Sequence, residues 1–182
     1  MKSVLIVYKS KTGFTKRYVD WITDEITCNT IELEKAKKEE INDYDIIVYG
    51  AGMHAGHILG LNKFRKLIDF HNDNVNNKEL IIFATGAAPN TDEIVSQIQK
   101  NNLREDEANA RFFYFESGIS YEKMSGADKT LMTAFKTFLK IKSNKSNIEE
   151  GTNMAILNSY DNSKKENIIP LISHLNKLII EE

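Results

Sequence analysis

Short apolar runs recur along the chain, and most are followed by a stretch whose apolar residues have helical spacing. The first, Ser3-Val4-Leu5-Ile6-Val7-Tyr8, is too short for a helix, rich in β-branched residues and too apolar to alternate. It predicts a strand buried on both faces of a parallel sheet, and such a strand needs helices on both sides. Tyr44 to Gly50, Leu80 to Thr85 and Arg111 to Glu116 read as further strands, and Thr30 to Glu34 as a brief alternating strand suited to a sheet edge. Helical spacing appears at Tyr18, Val19, Ile22 and Ile26, at Leu61, Phe64, Leu67 and Ile68 within Leu61 to Phe70, and at Ile94, Val95 and Ile98, where Thr91 supplies a cap. Lys35 to Asn42 reads as a solvated turn or short helix, and Asn72 to Lys78 as a polar break. Glu166 to Ile180 predicts a last helix with Ile168, Ile172, Leu175 and Ile179 inward and Pro170 in its first turn.

Five strands alternating with helices, with no repeat or low-complexity linker, predict an α/β fold: a doubly wound parallel sheet in a single domain spanning 1–182. Ligands of such sheets bind beyond the carboxyl ends of the strands. The loops at 9–15, 50–57, 85–90 and 117–122 converge there, and their small residues leave room for a flat ring.

The first of these loops carries the clearest chemistry. Ser10, Thr12 and Thr15 bring three hydroxyls to the start of a helix, and Gly13 lets the backbone curl close to a ligand without a Cβ in the way. Backbone N–H groups at a helix N-terminus make that position an anion site. A plain N-cap at Thr12 or Thr15 has the same sequence signature. The loop lacks the glycine spacing and the Gly-Lys-Ser/Thr ending of a Walker A loop. Gly50, Gly52 and Ala55 satisfy G-x-G-x-x-A, but no helix is predicted to open at these glycines, and the position of the ribose-binding acid falls in or just after the helical stretch 61–70.

The pattern S/T-x-T-G-x-T at Ser10, Thr12, Gly13 and Thr15 resembles the phosphate loop of the flavodoxin family. The resemblance implies strand order 2-1-3-4-5 and FMN as cofactor. It places the 5′-phosphate on Ser10, Lys11, Thr12, Gly13, Phe14 and Thr15, and the ring near Ala51, Gly52, Met53, His54, Thr85, Gly86, Ala87, Ala88, Pro89 and Gly118. Between the fifth strand and the last helix lies an insertion, Ile119 to Asn158, with a helix of its own. Leu131, Met132, Phe135, Phe138 and Leu139 share one face of it, and Lys129, Lys136, Lys140, Lys142 and Lys145 decorate the rest. That pattern fits first a helix packed over the sheet edge with a solvated lysine face; the sharper alternative is a basic amphipathic helix docking on an anionic membrane or partner.

Gly50-Ala51 with Gly56-His57, Gly118-Ile119-Ser120-Tyr121, Asp128-Lys129-x-x-Met132 and the lysine-rich helix together resemble the menaquinone-dependent protoporphyrinogen dehydrogenases. That branch implies an FMN oxidoreductase linked to a porphyrinogen or a quinone. Two stretches differ from its pattern. Glu122-Lys123-Met124-Ser125-Gly126-Ala127 stands where the branch is rich in arginine and aromatics, and Met53-His54 stands where it has an arginine-tyrosine pair.

Composition narrows the field further. With 182 residues, 41% of them apolar, the chain can bury a full core, and it contains no run long enough to span a bilayer. A net charge of −2, from 24 basic and 26 acidic residues, argues against a nucleic-acid surface. Passage from Met1-Lys2 straight into a strand leads to an expectation of cytoplasmic location, with peripheral contact at the inner face of the membrane if 129–145 docks there. Cys28 is a lone thiol at a helix end. His54 and His57 lack a third ligand, so no metal site is expected. Three functions stay open: an FMN oxidoreductase acting on a quinone, porphyrinogen or other organic partner; a flavodoxin carrying single electrons between proteins; and a binding module without redox work. Carboxylates near a flavin disfavour its anionic reduced form, and loops 51–57, 85–91 and 117–121 contain no Asp or Glu, which favours the first over the second.

Overall fold

The computed structural model of the chain describes residues 1–68, 78–107, 110–141 and 159–180. In chain order the elements are β1 (Val4–Lys9), α1 (Phe14–Glu25), β2 (Asn29–Glu32), α2 (Lys38–Ile41), β3 (Ile46–His54), β4 (His57–Ile58), α3 (Leu61–Leu67), β5 (Glu79–Gly86), α4 (Asp92–Asn102), β6 (Arg111–Glu116), β7 (Gly118–Ile119), α5 (Gly126–Ile141), β8 (Tyr160–Asp161) and α6 (Ile169–Ile180). The main sheet runs β2-β1-β3-β5-β6, all parallel. Counting parallel strands alone, that is the expected order 2-1-3-4-5. Of the sequence expectations, parts of the 61–70 and 72–78 stretches, His71 and the insertion beyond 141 fall outside the described residues.

Side chains on a strand alternate between its two faces, and β1 uses both. Val4, Ile6 and Tyr8 enter a core closed by Tyr18, Val19 and Ile22 of α1 and by Leu171, Leu175 and Leu178 of α6. Leu5 and Val7 enter a second core closed by Leu61 and Phe64 of α3, with Val95 and Ile98 of α4 packed against it. The continuous apolar run of β1 therefore follows from burial on both faces. In α6, Leu171 and Leu178 are buried beside the predicted Leu175, while Ile172 and Ile179 are only partly buried. A 3-10 turn, Lys165–Ile168, leads into that helix and buries Ile168.

The largest departure from expectation is at β3. The glycine-rich stretch read as a loop from Ala51 continues the strand to His54. Gly50 pairs with Tyr8 and Phe83, Ala51 with Lys9 and Ala84, and Gly52 with Thr85, so neighbouring strands hold the backbone whatever the side chains. The missing Cβ at Gly50 has a packing cause: one placed there would lie 2.0 Å from Cζ of Phe83. The connection shrinks to Ala55-Gly56, whose φ angles of 48° and 82° are both positive, as a two-residue primed hairpin requires. β4 then pairs antiparallel with β3. No helix opens at Gly50 or Gly52, so the dinucleotide fingerprint is formal only.

The fifth parallel strand is followed at once by a small second sheet, in which β7 pairs antiparallel with β8. Gly118 is tied to that pairing, since a Cβ there would sit 2.0 Å from the carbonyl oxygen of Tyr160. Between the two strands the chain leaves for α5 and returns by residue 159. Ile119 packs with Tyr121, Met124, Met132, Tyr160 and Ala87, which fastens the start of this excursion to the carboxyl end of β5.

Candidate functional site

The loop between β1 and α1 sits at the carboxyl edge of the sheet. Gly13 is the N-cap of α1 with φ 95° and has no side chain to make a cap bond, so neither Thr12 nor Thr15 acts as a plain N-cap. The first N–H groups of any helix lack intrahelical partners and carry its positive dipole end. Here the Lys16 N–H is directed to Ser10 Oγ at 3.3 Å. Gly13 is exposed and Thr12 half-buried, while Phe14 is buried with the Arg17 guanidinium 5.7 Å from its ring centre.

Thr15 has a different environment from the other two hydroxyls. Its Oγ1 lies 2.8 Å from Oγ1 of Thr85, and both residues are 2% exposed. Gly52 adjoins this pair, since a Cβ on it would stand 3.6 Å from the Thr15 hydroxyl and 3.8 Å from that of Thr85. The ends of β3 and β5 thus meet the start of α1 at one point. Gly86 faces the Met53 side chain and the Tyr114 hydroxyl. The carbonyls beyond it are held from behind: Ala87 accepts from Tyr160 at 2.7 Å and Ala88 from Tyr114 at 2.8 Å. Pro89 is exposed, and Ala51 is buried in the strand. Desolvation raises the Tyr114 hydroxyl far above its ordinary pKa and also raises that of Tyr160, so both act as neutral donors.

Two residues of the 119–128 segment reach the first loop, although nothing local in the sequence brings them there. Lys123 places its ammonium 3.6 Å from the point where a Cβ on Gly13 would lie. Asp128 accepts from Lys11 Nζ at 3.3 Å through either carboxylate oxygen and lies 3.7 Å from His54 Nε2. Ser125 donates to Asp128 at 2.8 Å, and its hydroxyl accepts the Asp128 N–H at 3.2 Å, a reciprocal cap at the start of α5. The Ser125 bond, followed by the Lys11 ammonium, holds the Asp128 carboxyl below its ordinary pKa. The pattern Ser125-x-x-Asp128 is a legible helix start, but its arrival beside Lys11 is a tertiary fact.

Glu116, at the end of β6, accepts from the Asn90 N–H at 3.3 Å and from Asn162 at 2.7 Å, joining the 85–90 loop to the segment after β8. Arg17 of α1 pairs with Asp161, and the Tyr18 hydroxyl donates to the Glu116 carbonyl. The start of α1, the 85–90 loop and the second sheet are therefore bound together. His57 is exposed on the hairpin. Among the described residues no three His, Cys, Asp or Glu side chains are grouped to hold a metal ion, and no helix is long and apolar enough to cross a membrane. Lys129 is exposed, whereas the placement of the Lys136, Lys140, Lys142 and Lys145 side chains is outside the description.

The Flavodoxin domain family model matches residues 5–146, and the chain belongs to that family. Comparison with curated proteins returns no match. Among solved structures, a candidate flavoprotein of Bacteroides eggerthii is 15% identical with TM-score 0.48, covering 78% of this chain and 100% of its own. The WrbA-like flavodoxin of Agrobacterium tumefaciens is 17% identical with TM-score 0.45, covering 70% and 88%. A flavoprotein of Lactobacillus acidophilus solved in complex with FMN is 18% identical with TM-score 0.39, covering 64% and 93%.

Proposed function

We propose that the chain binds FMN at the carboxyl edge of its sheet and works as an oxidoreductase on a quinone, a porphyrinogen or another organic redox partner. The observation that carries this reading is the open N-terminus of α1 at Gly13, with Ser10, Thr12, Lys11 and Lys123 around it. That donor set fits a phosphate: a positive dipole end, hydroxyls that can donate, and cations from two separate segments. Beside it, Gly52, Thr85 and Gly86 leave the strand ends without bulky side chains, as a flat ring requires. FMN supplies the electron transfer when bound. The chain's own residues hold the phosphate, fix the ring edge with the Ala87 and Ala88 backbone, and place His54 and Asp128 at the mouth.

A second reading, a one-electron carrier, gains support from Asp128 and Glu116. They bring carboxylates to an edge whose own loops have none, and carboxylates lower the potential of a reduced anionic flavin. Anaerobic titration with FMN, potentiometry of both one-electron couples, and turnover with a panel of quinones and porphyrinogens separate the two. Steady turnover with a moderate semiquinone/hydroquinone potential is expected. A very negative couple without turnover favours the carrier, and a protein that binds no FMN removes both. Peripheral docking through 129–145 belongs to the same proposal and is checked by flotation with anionic vesicles, which should weaken with salt.

A further inference from the structure

We infer that Lys123 is a phosphate-positioning residue supplied to the first loop by the segment that follows β7. The inference rests on the FMN reading and deepens it, adding a residue outside the first-loop pattern. Three observations carry it. The Lys123 ammonium stands over Gly13, the residue whose φ of 95° opens the helix end. Lys11, the cation within the loop, is already committed to Asp128 at 3.3 Å, whereas among the described residues Lys123 has no carboxylate partner. The segment itself is anchored, by the Ile119 and Met124 packing beside Ala87 and by the Ser125–Asp128 cap, so the lysine is delivered from a fixed base.

A phosphate dianion at the start of α1 meets a positive dipole end whose nearest lysine is partly neutralised. A second cation reaching in from outside restores the charge balance, and charge-assisted bonds to phosphate are the strong class. The Lys11–Asp128 pair then acts as the latch that keeps the Lys123 segment against the loop. Because linkage is reciprocal, a ligand stabilised by Lys123 must stabilise the segment that delivers it in turn.

The test compares FMN with riboflavin, which has the same ring and no phosphate, by fluorescence titration of the apoprotein. Parent protein should bind FMN much more tightly than riboflavin. Lys123→Gln should lose about tenfold in FMN affinity, the order expected for one charge-assisted contact, with riboflavin affinity unchanged. Lys123→Arg should recover most of the loss, and Lys100→Gln, an equal change of charge on α4, should have no effect. Amide exchange in 120–128 should slow when FMN is added and not when riboflavin is added. If the parent prefers FMN but Lys123→Gln binds it within about twofold of the parent, or loses FMN and riboflavin equally, the inference is overturned while the FMN reading stands. If the parent binds FMN no better than riboflavin, the phosphate reading and the inference fall together.

Discussion

Thr15 and Thr85 form the contact where stability and cofactor binding can be told apart. The two hydroxyls are 2.8 Å apart and both residues are 2% exposed, across a sequence separation of 70. Thr15→Val keeps the shape and removes one hydroxyl, leaving the other in a dry site. An orphaned buried hydroxyl costs about 1–3 kcal/mol, whereas removing both partners of a bonded pair is close to neutral. Each single valine variant should therefore lose about 1–3 kcal/mol, and the double variant should lie within about 1 kcal/mol of the parent. In a domain of this size the single losses correspond to roughly 2–4 °C of Tm per kcal/mol. Urea unfolding of the apoprotein, with unchanged slope, measures the cycle. Losses that simply add would refute the argument. Thr15 can still offer a ligand its backbone N–H without leaving Thr85, so Thr15→Val should act mainly on stability. Thr12→Ala, half-buried at the open end of the loop, should instead weaken FMN binding with little change in the unfolding midpoint.

Glu107 is 2% exposed and meets Arg65 with Oε1 at 2.6 Å from Nε and Oε2 at 2.5 Å from Nη2, while the Arg104 N–H also donates to it. Glu107→Ala leaves a largely buried guanidinium unpaired and should cost about 3–5 kcal/mol by urea unfolding; a loss below about 1 kcal/mol would show the pair to be dispensable. Burial pushes the Cys28 thiol up to about 11, so its reaction with iodoacetamide at pH 8 should be far slower than that of free cysteine and should speed up in urea. The Asp45 carboxylate accepts the Ser3 N–H at 2.7 Å and the Ser3 hydroxyl at 2.8 Å, and these bonds hold it below its ordinary pKa. The folded state then binds fewer protons than the unfolded one, so this stabilisation is present above the unfolded carboxyl value of about 3.9 and is lost as pH falls through the lower folded value. Asp45→Asn should flatten that acid limb in a pH series of unfolding midpoints.

The parallel sheet was legible because burial on both faces leaves a direct mark, and β1, β5 and β6 show it as unbroken apolar runs. β3 was legible only as far as Gly50. Gly50 is small because the Phe83 ring occupies the place of a Cβ, and a glycine chosen for close packing looks the same in sequence as one chosen for a turn. The Ala55-Gly56 hairpin was hidden for the same reason. At the first loop, the strand, the glycine and the helix start were readable as a unit, but the sequence gives Ser10, Thr12 and Thr15 equal standing. Only tertiary placement separates the inward Thr15 from the other two. Lys123 and Asp128 carried no local signal for their role, since a lysine and a capping acid are common at any helix start. What matters is that β7, packed through Ile119, returns the chain to the edge where α1 begins.

That return also changes how charge around the site is counted. Loops 51–57, 85–91 and 117–121 hold no acid, which by itself describes a site tolerant of a reduced anionic ring. The structure brings Lys123 and Asp128 to Lys11 at the first loop, two cations against one carboxylate there. Asp128 spends its charge on Lys11 at 3.3 Å, and a paired charge projects a weaker field than a free one. Glu116 accepts hydrogen bonds from Asn90 and Asn162, which spread its charge over the polar loop ends. The balance at the first loop is therefore positive, although a carboxylate has entered. A potential argument drawn from loop composition alone would have missed both signs, because Lys123 and Asp128 reach the edge from the segment after β7.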